Sequence, residues 1–516
     1  MELELKKSCF DGYEAGAEQV LTQEETAETI VPDYCPDIAR IIDTEGKIFL
    51  HSRDLRDGKA VVSGTVRVTV LYTPEGEGGI RTLEFAIPFS AETDEQAMDE
   101  CVFLSAFPEM EFLETRVLNP RKVFTRCKLV LRLNGYRRMQ LCLCTDVEAD
   151  ASLCVEKRQE PQRATLLTQI AEKDFTFSDE MNLSPGKEGA AEILTSRASA
   201  LVTETKIVGN KLILKGIFNI QLLYRSASGQ CCSASGELPF SQIMEVDGAR
   251  EDSTAFVQLQ FTGTDIQVGG AADQDGRRIT VTLYLHAFSA IRREQALTVL
   301  SDLYSTAYDL SYEAEPLLLT DYCDTLTRRQ TVREILEIGV VADSVLSVSV
   351  TCGSVAVSRE SEGGPAAVLR TGANVRALYL DEGGVPLVVE RALEVTCPLE
   401  MPENCRISAT AGCPEDVQSS LGERGIEVRF PVEFQVQAST QKKRVCLTSA
   451  RVVSDTPLDL SQEPSLILRS LEKDETLWMM AKRYHTTIPI ILTANGLEEE
   501  SGAPHDKLLL IPRKRA

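Results

Sequence analysis

The feature that most limits how this chain can fold is a segment that occurs three times at a long period. Residues 64–72 read GTVRVTVLY, residues 216–224 read GIFNIQLLY, and residues 371–380 read TGANVRALYL. The second copy follows the first by 152 residues, and the third tyrosine follows the second by 155. Apolar and polar residues alternate in each copy, as in a β-strand that buries one face. The chain is therefore predicted to contain three copies of one β unit.

The sequence around the three copies is also alike. A turn containing glycine follows each copy, and a strand then leads to a proline at position 88, 239 or 398. Short apolar stretches upstream of the copies predict helical turns at 36–42, 190–194 and 332–336. Each unit ends in a long alternating stretch, whose polar interruptions predict hairpin turns at 134–135, 291–293 and 440–442.

These signals divide the chain into three tandem, homologous, mainly β domains, followed by a small domain of a different pattern. The predicted boundaries are 1–24 for an N-terminal arm, 25–155, 165–308 and 315–458 for the β domains, and 466–514 for the small domain. The charge distribution agrees with this division, since the chain from residue 466 onward carries +1 and the preceding part carries −25.

Composition argues against several classes of function. The 516 residues carry a formal net charge of −24, and an acidic surface of this size repels the phosphates of nucleic acids. No apolar run is long enough for a transmembrane helix, and the N-terminus lacks the pattern of a signal peptide, so we expect a protein that stays in the cell that makes it. The 15 cysteines form no CxxC pair. We expect free thiols in a reducing cytosol, with neither a metal site nor a cofactor.

The C-terminal tail predicts two short helices between two strands. Thr476 and Thr487 can cap the helices, Asn495-Gly496 can end the second one, and a strand finishes at Pro512. The chain's single tryptophan, Trp478, lies in the first helix. Together with Leu477 and Tyr484, it is expected to build the core of this small domain.

These tail residues resemble a LysM module. The matching positions are Thr476-Leu477-Trp478, Ala481, Tyr484, Thr486-Thr487, Asn495-Gly496-Leu497 and Leu509-Leu510-Ile511-Pro512. LysM modules bind N-acetylglucosamine polymers such as peptidoglycan or chitin, in a groove between the loop entering the first helix and the loop leaving the second. The resemblance implies a groove formed by Asp474, Glu475, Thr476, Leu477, Asn495, Gly496, Leu497 and Asp506. Asp474 and Asp506 stand near positions where these modules usually have glycine, which lets a sugar approach the backbone.

The whole arrangement resembles the SipL-like, SPOCS-domain spore-coat morphogenetic proteins of endospore-forming clostridia, which end in a LysM module. The resemblance implies a protein of the mother-cell cytoplasm, located at the forespore surface. It also implies binding to the ATPase that polymerises as the basement layer of the spore coat, with the LysM module taking part in that contact.

Residue types typical of catalysis do not recur among the three copies. The four histidines, His51, His286, His485 and His505, lie far apart in the sequence, and no metalloprotease, nucleophile-elbow or P-loop motif occurs. Glycine, proline, tyrosine and apolar alternation recur instead. We therefore expect a protein that is not an enzyme.

Two functions remain open at this point. One is a structural adaptor in spore-coat assembly, and the alternative is a peptidoglycan-binding protein of the cell or spore wall. Two sets of repeated residues also allow two interpretations. Tyr72, Tyr224 and Tyr379 either close core strands or bind a partner. The basic runs at 137–138, 292–293 and 442–444 are either solvated turns or a shared docking face.

Overall fold

The computed structural model describes residues 2–76, 78–94, 96–269, 275–359, 367–402, 404–415, 417–472, 474–499 and 507–513. Within these residues the chain is mainly β, and two short α-helices lie near its C-terminus. The mainly β class predicted from the sequence is therefore confirmed. In this part of the chain, no helix combines the length and the apolar character needed to cross a lipid bilayer.

The strands follow one order three times: a long strand, four or five strands of 5 to 19 residues, and a second long strand. The first unit contains β1 (Glu4–Ile30), β2 (Ile38–Arg56), β3 (Lys59–Pro74), β4 (Arg81–Glu92), β5 (Cys101–Asn119) and β6 (Lys122–Glu148). After a 3-10 turn at Ala151–Leu153, the second contains β7 (Val155–Asn182), β8 (Ala190–Val208), β9 (Lys211–Ser226), β10 (Cys231–Glu245), β11 (Thr254–Val268) and β12 (Arg278–Ser305). The third contains β13 (Leu310–Glu337), β14 (Ala342–Ser358), β15 (Ala367–Asp381), β16 (Pro386–Leu399), β17 (Arg406–Gly412), β18 (Gln418–Gly422) and β19 (Gly425–Val452).

Each unit packs a small sheet against part of a larger one. The small sheets have the orders β2-β3-β4, β10-β9-β8 and β14-β15-β16, and the repeated motif forms the central strand of each. A six-stranded sheet, β11-β12-β7-β1-β6-β5, joins the first two units, while β13-β19-β17, with β18 also beside β19, belongs to the third. Side chains of the two layers fill one apolar core in each unit.

The long strands pair along their whole length, as β1–β6, β7–β12 and β13–β19. The hairpin turns predicted at 134–135, 291–293 and 440–442 are therefore wrong, since these residues continue their strands. Opposite each of them the register shifts by one residue, at Gly16, Thr168 or Asp321, which forms a β-bulge. A break in the alternation of apolar and polar residues can therefore mark either a bulge or a turn.

Beyond the bulges the long strands continue as three two-stranded ribbons. The ribbons consist of residues 4–15 with 136–148, 155–167 with 292–305, and 310–320 with 441–452. Their apolar side chains, including Leu143, Leu166, Leu303 and Leu447, meet in one shared core. Most of the segment expected to be an N-terminal arm thus lies in β1. The boundaries expected at residues 25, 165 and 315 fall inside β1, β7 and β13.

The helical turns predicted at 36–42, 190–194 and 332–336 are also wrong. Residues 38–42 and 190–194 begin β2 and β8, and 332–336 lie within β13. A short apolar run fits a buried helix or a buried strand equally well. In the first two cases a bulge at Ile42 or Leu194 disturbs the alternation that would have indicated a strand.

The three small sheets meet in an apolar hub. Leu71, Leu223 and Leu378, which each precede the tyrosine of a repeated motif, are only 2–4% exposed there. They pack with Leu194, Leu346 and Ile42, the residues at the bulges of the adjoining strands. Ion pairs surround the hub, such as Arg197–Glu45 at 2.7 Å and Arg376–Asp43 at 2.7 Å. Equivalent residues of the three units therefore converge on one point.

The repeated tyrosines are core residues. Tyr72 and Tyr224 are fully buried and Tyr379 is 4% exposed. The hydroxyl of Tyr72 donates to the carbonyl of Pro36 at 3.1 Å, and that of Tyr224 donates to the carbonyl of Glu188 at 3.0 Å. Burial raises the pKa of Tyr72 to about 12. Of the two interpretations, the structure favours closure of the core strands.

The expectation of free thiols is wrong for two cysteines. Cys9 and Cys142 face each other across β1 and β6 and form a disulfide in the first ribbon. They are 133 residues apart in the sequence, so no local spacing indicates the pairing. A different thiol, Cys446 of β19, accepts a hydrogen bond from the backbone N–H of Cys144 at 3.3 Å in the core shared by the ribbons.

The motif glycines give a test of the packing. A Cβ at Gly216 would lie 2.3 Å from the carbonyl oxygen of Leu201 and 2.6 Å from the Phe240 ring, whereas a Cβ at Gly372 would meet nothing within 4 Å. We expect Gly216→Ala to lower the free energy of unfolding by about 1–3 kcal/mol because the core is overpacked. Gly372→Ala is the matched control and should change it by less than about 0.5 kcal/mol. Denaturant titration measures both, and equal effects would contradict this packing.

Candidate binding site in the C-terminal unit

The C-terminal unit has the element order predicted from the sequence. It contains β20 (Leu466–Arg469), α1 (Leu477–Arg483), α2 (Ile488–Asn495) and β21 (Leu509–Pro512). The strands β20 and β21 pair in antiparallel fashion. The apolar core of the unit includes Trp478, Met480, Ile491 and Ile511, so the tryptophan is a core residue, as expected.

Four predicted groove residues lie in the loop entering α1 and at the first position of this helix. The Thr476 hydroxyl accepts a hydrogen bond from the Met479 N–H at 3.3 Å and so caps the helix. Glu475 is only 8% exposed and forms ion pairs with Arg469 at 3.0 Å and Arg483 at 3.5 Å. Leu477 is buried in the core. Of these four side chains, those of Asp474 and Thr476 are exposed at the surface.

The loop leaving α2 is held to β21 by one side chain. The Asn495 amide accepts a hydrogen bond from the Leu510 N–H at 2.8 Å and donates to the Leu510 carbonyl at 2.7 Å. Gly496 adopts a left-handed conformation with a φ of 61°, which ends the helix, and Leu497 packs partly against the core. The side chain of Asn495 thus acts as a structural link between α2 and β21.

The two loops lie at the same end of the β20–β21 ladder. Glu475 binds Arg469, which pairs with Leu509, while Asn495 binds the neighbouring Leu510. Each loop is thus anchored next to this end of the ladder, and the groove between the loops stays a prediction. Asp506, the remaining predicted residue, lies outside the described residues.

Sequence reasoning missed Arg469 and Glu472, which also contribute to this end of the unit. The Arg469 guanidinium donates to the Tyr484 hydroxyl at 3.3 Å and to Glu472 at 2.6 Å. A buried carboxylate needs a cationic partner. This requirement would have predicted a partner for Glu475 if its burial had been foreseen.

A different face of the unit docks on the β body. The Trp478 indole N–H donates to Asp302 of β12 at 2.7 Å, and Lys482, one helical turn further on, donates to the same carboxylate at 2.5 Å. Lys482 also donates to the Tyr312 hydroxyl at 2.9 Å. The Tyr304 ring packs edge-on against Trp478 with centroids 4.9 Å apart. None of these contacts uses a predicted groove residue.

The basic runs lie where the ribbons begin, beside the bulges. Arg137 pairs with Glu14 at 2.7 Å, Arg293 donates to Gln295 at 2.6 Å, and Arg444 donates to Gln162 of the neighbouring ribbon at 2.9 Å. Each run therefore has a contact within the chain. This arrangement favours a structural role over a shared docking face, although the turns expected there are strands.

The docking contact can be followed through the single tryptophan. Asp302→Ala removes the acceptor of both the Trp478 and the Lys482 hydrogen bonds, and bonds to a charged group contribute about 1.5–3 kcal/mol each. We expect the variant to release the C-terminal unit at a lower temperature, with a shift of Trp478 emission to longer wavelength. Asp309→Ala, at an exposed carboxylate nearby, is the control. Unchanged emission in Asp302→Ala would contradict this mode of docking.

The same contact predicts a pH dependence. Burial alone would raise the pKa of Asp302, but hydrogen bonds from Lys482 and Trp478 hold it below its usual 3.8. Burial would likewise lower the pKa of Lys482, but its bonds to Asp302 and Tyr312 hold it above 10.5. The carboxylate therefore stabilises docking above its undocked pKa and loses this effect as the pH falls through its docked pKa. The ammonium stabilises docking below its undocked pKa and loses this effect as the pH rises through its docked pKa.

We accordingly expect Trp478 emission to stay constant from about pH 5 to 9 and to shift below about pH 4 and above about pH 10.5. Asp302→Asn keeps an acceptor for the indole but not the charge, so the acid transition should weaken in this variant. An acid transition of the same size in Asp302→Asn would show that another group titrates.

Part of the chain matches a known protein family. Two segments, residues 37–117 and 190–268, match the family model described as SipL, SPOCS domain. They begin at the small sheets of the first and second units and extend into β5 and β11. Searches of curated proteins and of solved structures returned no significant match. The first two units of this chain are therefore similar to the SPOCS domain of SipL, which supports the resemblance to that family.

Proposed function

We propose that this protein is a non-enzymatic structural adaptor in spore-coat assembly. In this proposal it binds coat morphogenetic proteins, in particular the basement-layer ATPase, at the forespore surface in the mother-cell cytoplasm. The observation that carries the proposal is the SPOCS-domain match in two successive units, which suggests a role related to sporulation. The three-unit body would serve as a scaffold and the C-terminal unit as a binding module.

The third unit is proposed to be a further SPOCS-like copy. It lies outside the matched residues, but it has the same strand order, and its bulge at Asp321 follows that at Thr168 by nearly the same interval as Thr168 follows Gly16. Leu378 also takes the same place in the hub as Leu71 and Leu223. These equivalences support three homologous domains.

The C-terminal unit is proposed to be a LysM module that uses its groove for a protein partner. Its β-α-α-β order and the position of its two loops at one end of the ladder support this assignment. Docking on the body uses Trp478 and Lys482, so the groove loops stay available while the unit is docked. The exposed carboxylate of Asp474 would suit a partner that presents a basic side chain.

The distribution of titratable groups supports a role without catalysis. His286 and Asp174 form a pair at 2.8 Å across β12 and β7. The positions that correspond to His286 in the other long strands hold Val130 and Gln435. The pair therefore belongs to one unit alone, whereas the features common to all three units are elements of packing.

Retention of the coat ATPase from sporulating cells tests the adaptor proposal. We expect the intact chain to retain the ATPase and Asp474→Lys to weaken retention at least about tenfold, because the substitution places a cation at the groove. Glu423→Lys, which makes the same change in charge on an exposed turn of the third unit, should bind normally. If the intact chain retains no coat ATPase, the adaptor proposal fails. If Asp474→Lys binds as well as the intact chain, the partner does not use this groove.

The alternative is a peptidoglycan-binding protein of the cell or spore wall, and the LysM-like placement of the two loops favours it. The Asn495 amide, however, is occupied by Leu510, and carboxylates take the place of the glycines that LysM grooves usually have. Co-sedimentation of the full chain with insoluble peptidoglycan, reversed by chito-oligosaccharides, would favour this alternative. No co-sedimentation, together with retention of the ATPase, would favour the adaptor.

A further inference from the structure

A cavity of about 470 Å³ lies between the first two units. Its walls come from the small sheet of the first unit and from β8, β9 and β11 of the second. This volume is within the range of sites for small molecules, which is about 300–1,000 Å³. The side chains that line the cavity show which kind of ligand it suits.

Two cations lie side by side in this cavity. Lys47 on β2 and Arg67 on β3 are direct cross-strand partners, and both line the cavity. Lys47 donates to the Ser196 carbonyl, and Arg67 donates to the Thr264 carbonyl at 2.7 Å. Like charges placed directly opposite each other destabilise a sheet. The structure therefore keeps a pair that is unfavourable by itself.

Among the described residues, no carboxylate lies within 4.0 Å of either cation, since neither forms a salt bridge. Glu45 acts on Lys47 from a greater distance, but it is paired with Arg197 at 2.7 Å. Burial lowers the pKa of Lys47, although Glu45 and Glu84 act in the opposite direction.

The equivalent positions of the other units show that packing does not require these charges. Ser199 and Asn219 are the corresponding pair on β8 and β9, and each donates to the Pro414 carbonyl of the third unit at 2.7 Å. Thr351 and Asn374 are the pair on β14 and β15. In the second unit, neutral side chains thus make the same type of contact between units. Packing between the units therefore does not require the two positive charges of the first unit.

The remaining wall of the cavity adds both cations and anions. Arg81 and Arg225 line it, as do Glu84, Glu192 and Asp265. Glu192 is paired with Arg225, and Glu84 and Asp265 are exposed. Thr82 also lines the cavity, but its hydroxyl is buried away from solvent. Of the cations that line the cavity, Lys47 and Arg67 therefore remain the pair available to a ligand.

We propose that this cavity binds a small anion with a phosphate or carboxylate group, which Lys47 and Arg67 hold between the first and second units. Two adjacent cations with free donors match an oxyanion with several acceptor oxygens. The bound anion would offset the repulsion between Lys47 and Arg67 and would bridge the two units. This site is separate from the groove proposed for the coat protein.

Titration calorimetry of the full chain with pyrophosphate and with citrate tests the site. At about 0.15 M ionic strength, exposed charges are largely screened, and we expect one saturable site per chain for at least one of the two probes. The probe that binds more tightly shows whether the site prefers a phosphate or a polycarboxylate ligand. If neither probe gives saturable binding, the proposal is wrong.

The decisive variant combines Lys47→Ser with Arg67→Asn, which installs the neutral pair that the second unit already carries. We expect it to fold and to lose at least about tenfold in affinity, because it removes two charge-assisted contacts. Arg126→Asn with Lys128→Ser removes the same charge from the surface of β6 and should bind normally. Equal losses in both double variants would show non-specific attraction and overturn the proposal. If the first double variant fails to fold, Arg67→Asn alone must show the loss.

Discussion

Each pair of long strands serves two cores, and the rest of this architecture depends on that double use. Side chains of a strand alternate between its two faces, so an extra residue in one strand changes which of its positions face a core. In β7 the inward residues are even-numbered before the bulge, such as Ala164 and Leu166, and odd-numbered after it, such as Ala171 and Met181. The bulge at Thr168 accounts for this change in which positions of β7 face inward. The paired strand β12 keeps odd-numbered residues inward at both ends, such as Leu285 and Leu297. The pair fills the core of its own unit at one end and the core shared by the ribbons at the other.

This constraint explains which parts of the fold the sequence predicted. Alternation over eight or nine residues identified the central strands β3, β9 and β15, because each lies between two strands and buries one face completely. Hairpin turns were predicted where the ribbons begin, because a bulge interrupts the alternation of apolar and polar residues in the same way as a turn. The disulfide between Cys9 and Cys142 depends on the register of β1 and β6, which no local pattern reveals.

The C-terminal unit was easier to predict, since short helices with caps depend on local signals. Thr476 caps α1 and Gly496 ends α2, as their residue types suggest. The roles of the groove residues were harder to foresee. Glu475 lies in a loop and Asn495 at the last position of α2, where a polar residue suggests contact with a ligand. Glu475, however, is buried with Arg469, and Asn495 is bonded to β21. The docking contact with Asp302 joins residues about 180 positions apart, and only the fold shows it.

The hub has a consequence for how such a chain can change over evolutionary time. In a solenoid each repeat touches only its neighbours, so repeats can be gained or lost with little disturbance. Here one leucine from each unit fills the same small space. A duplication would leave one leucine too many at that point, and a deletion would leave a void. The number of units is thus tied to the space at this centre, to which each unit contributes one leucine.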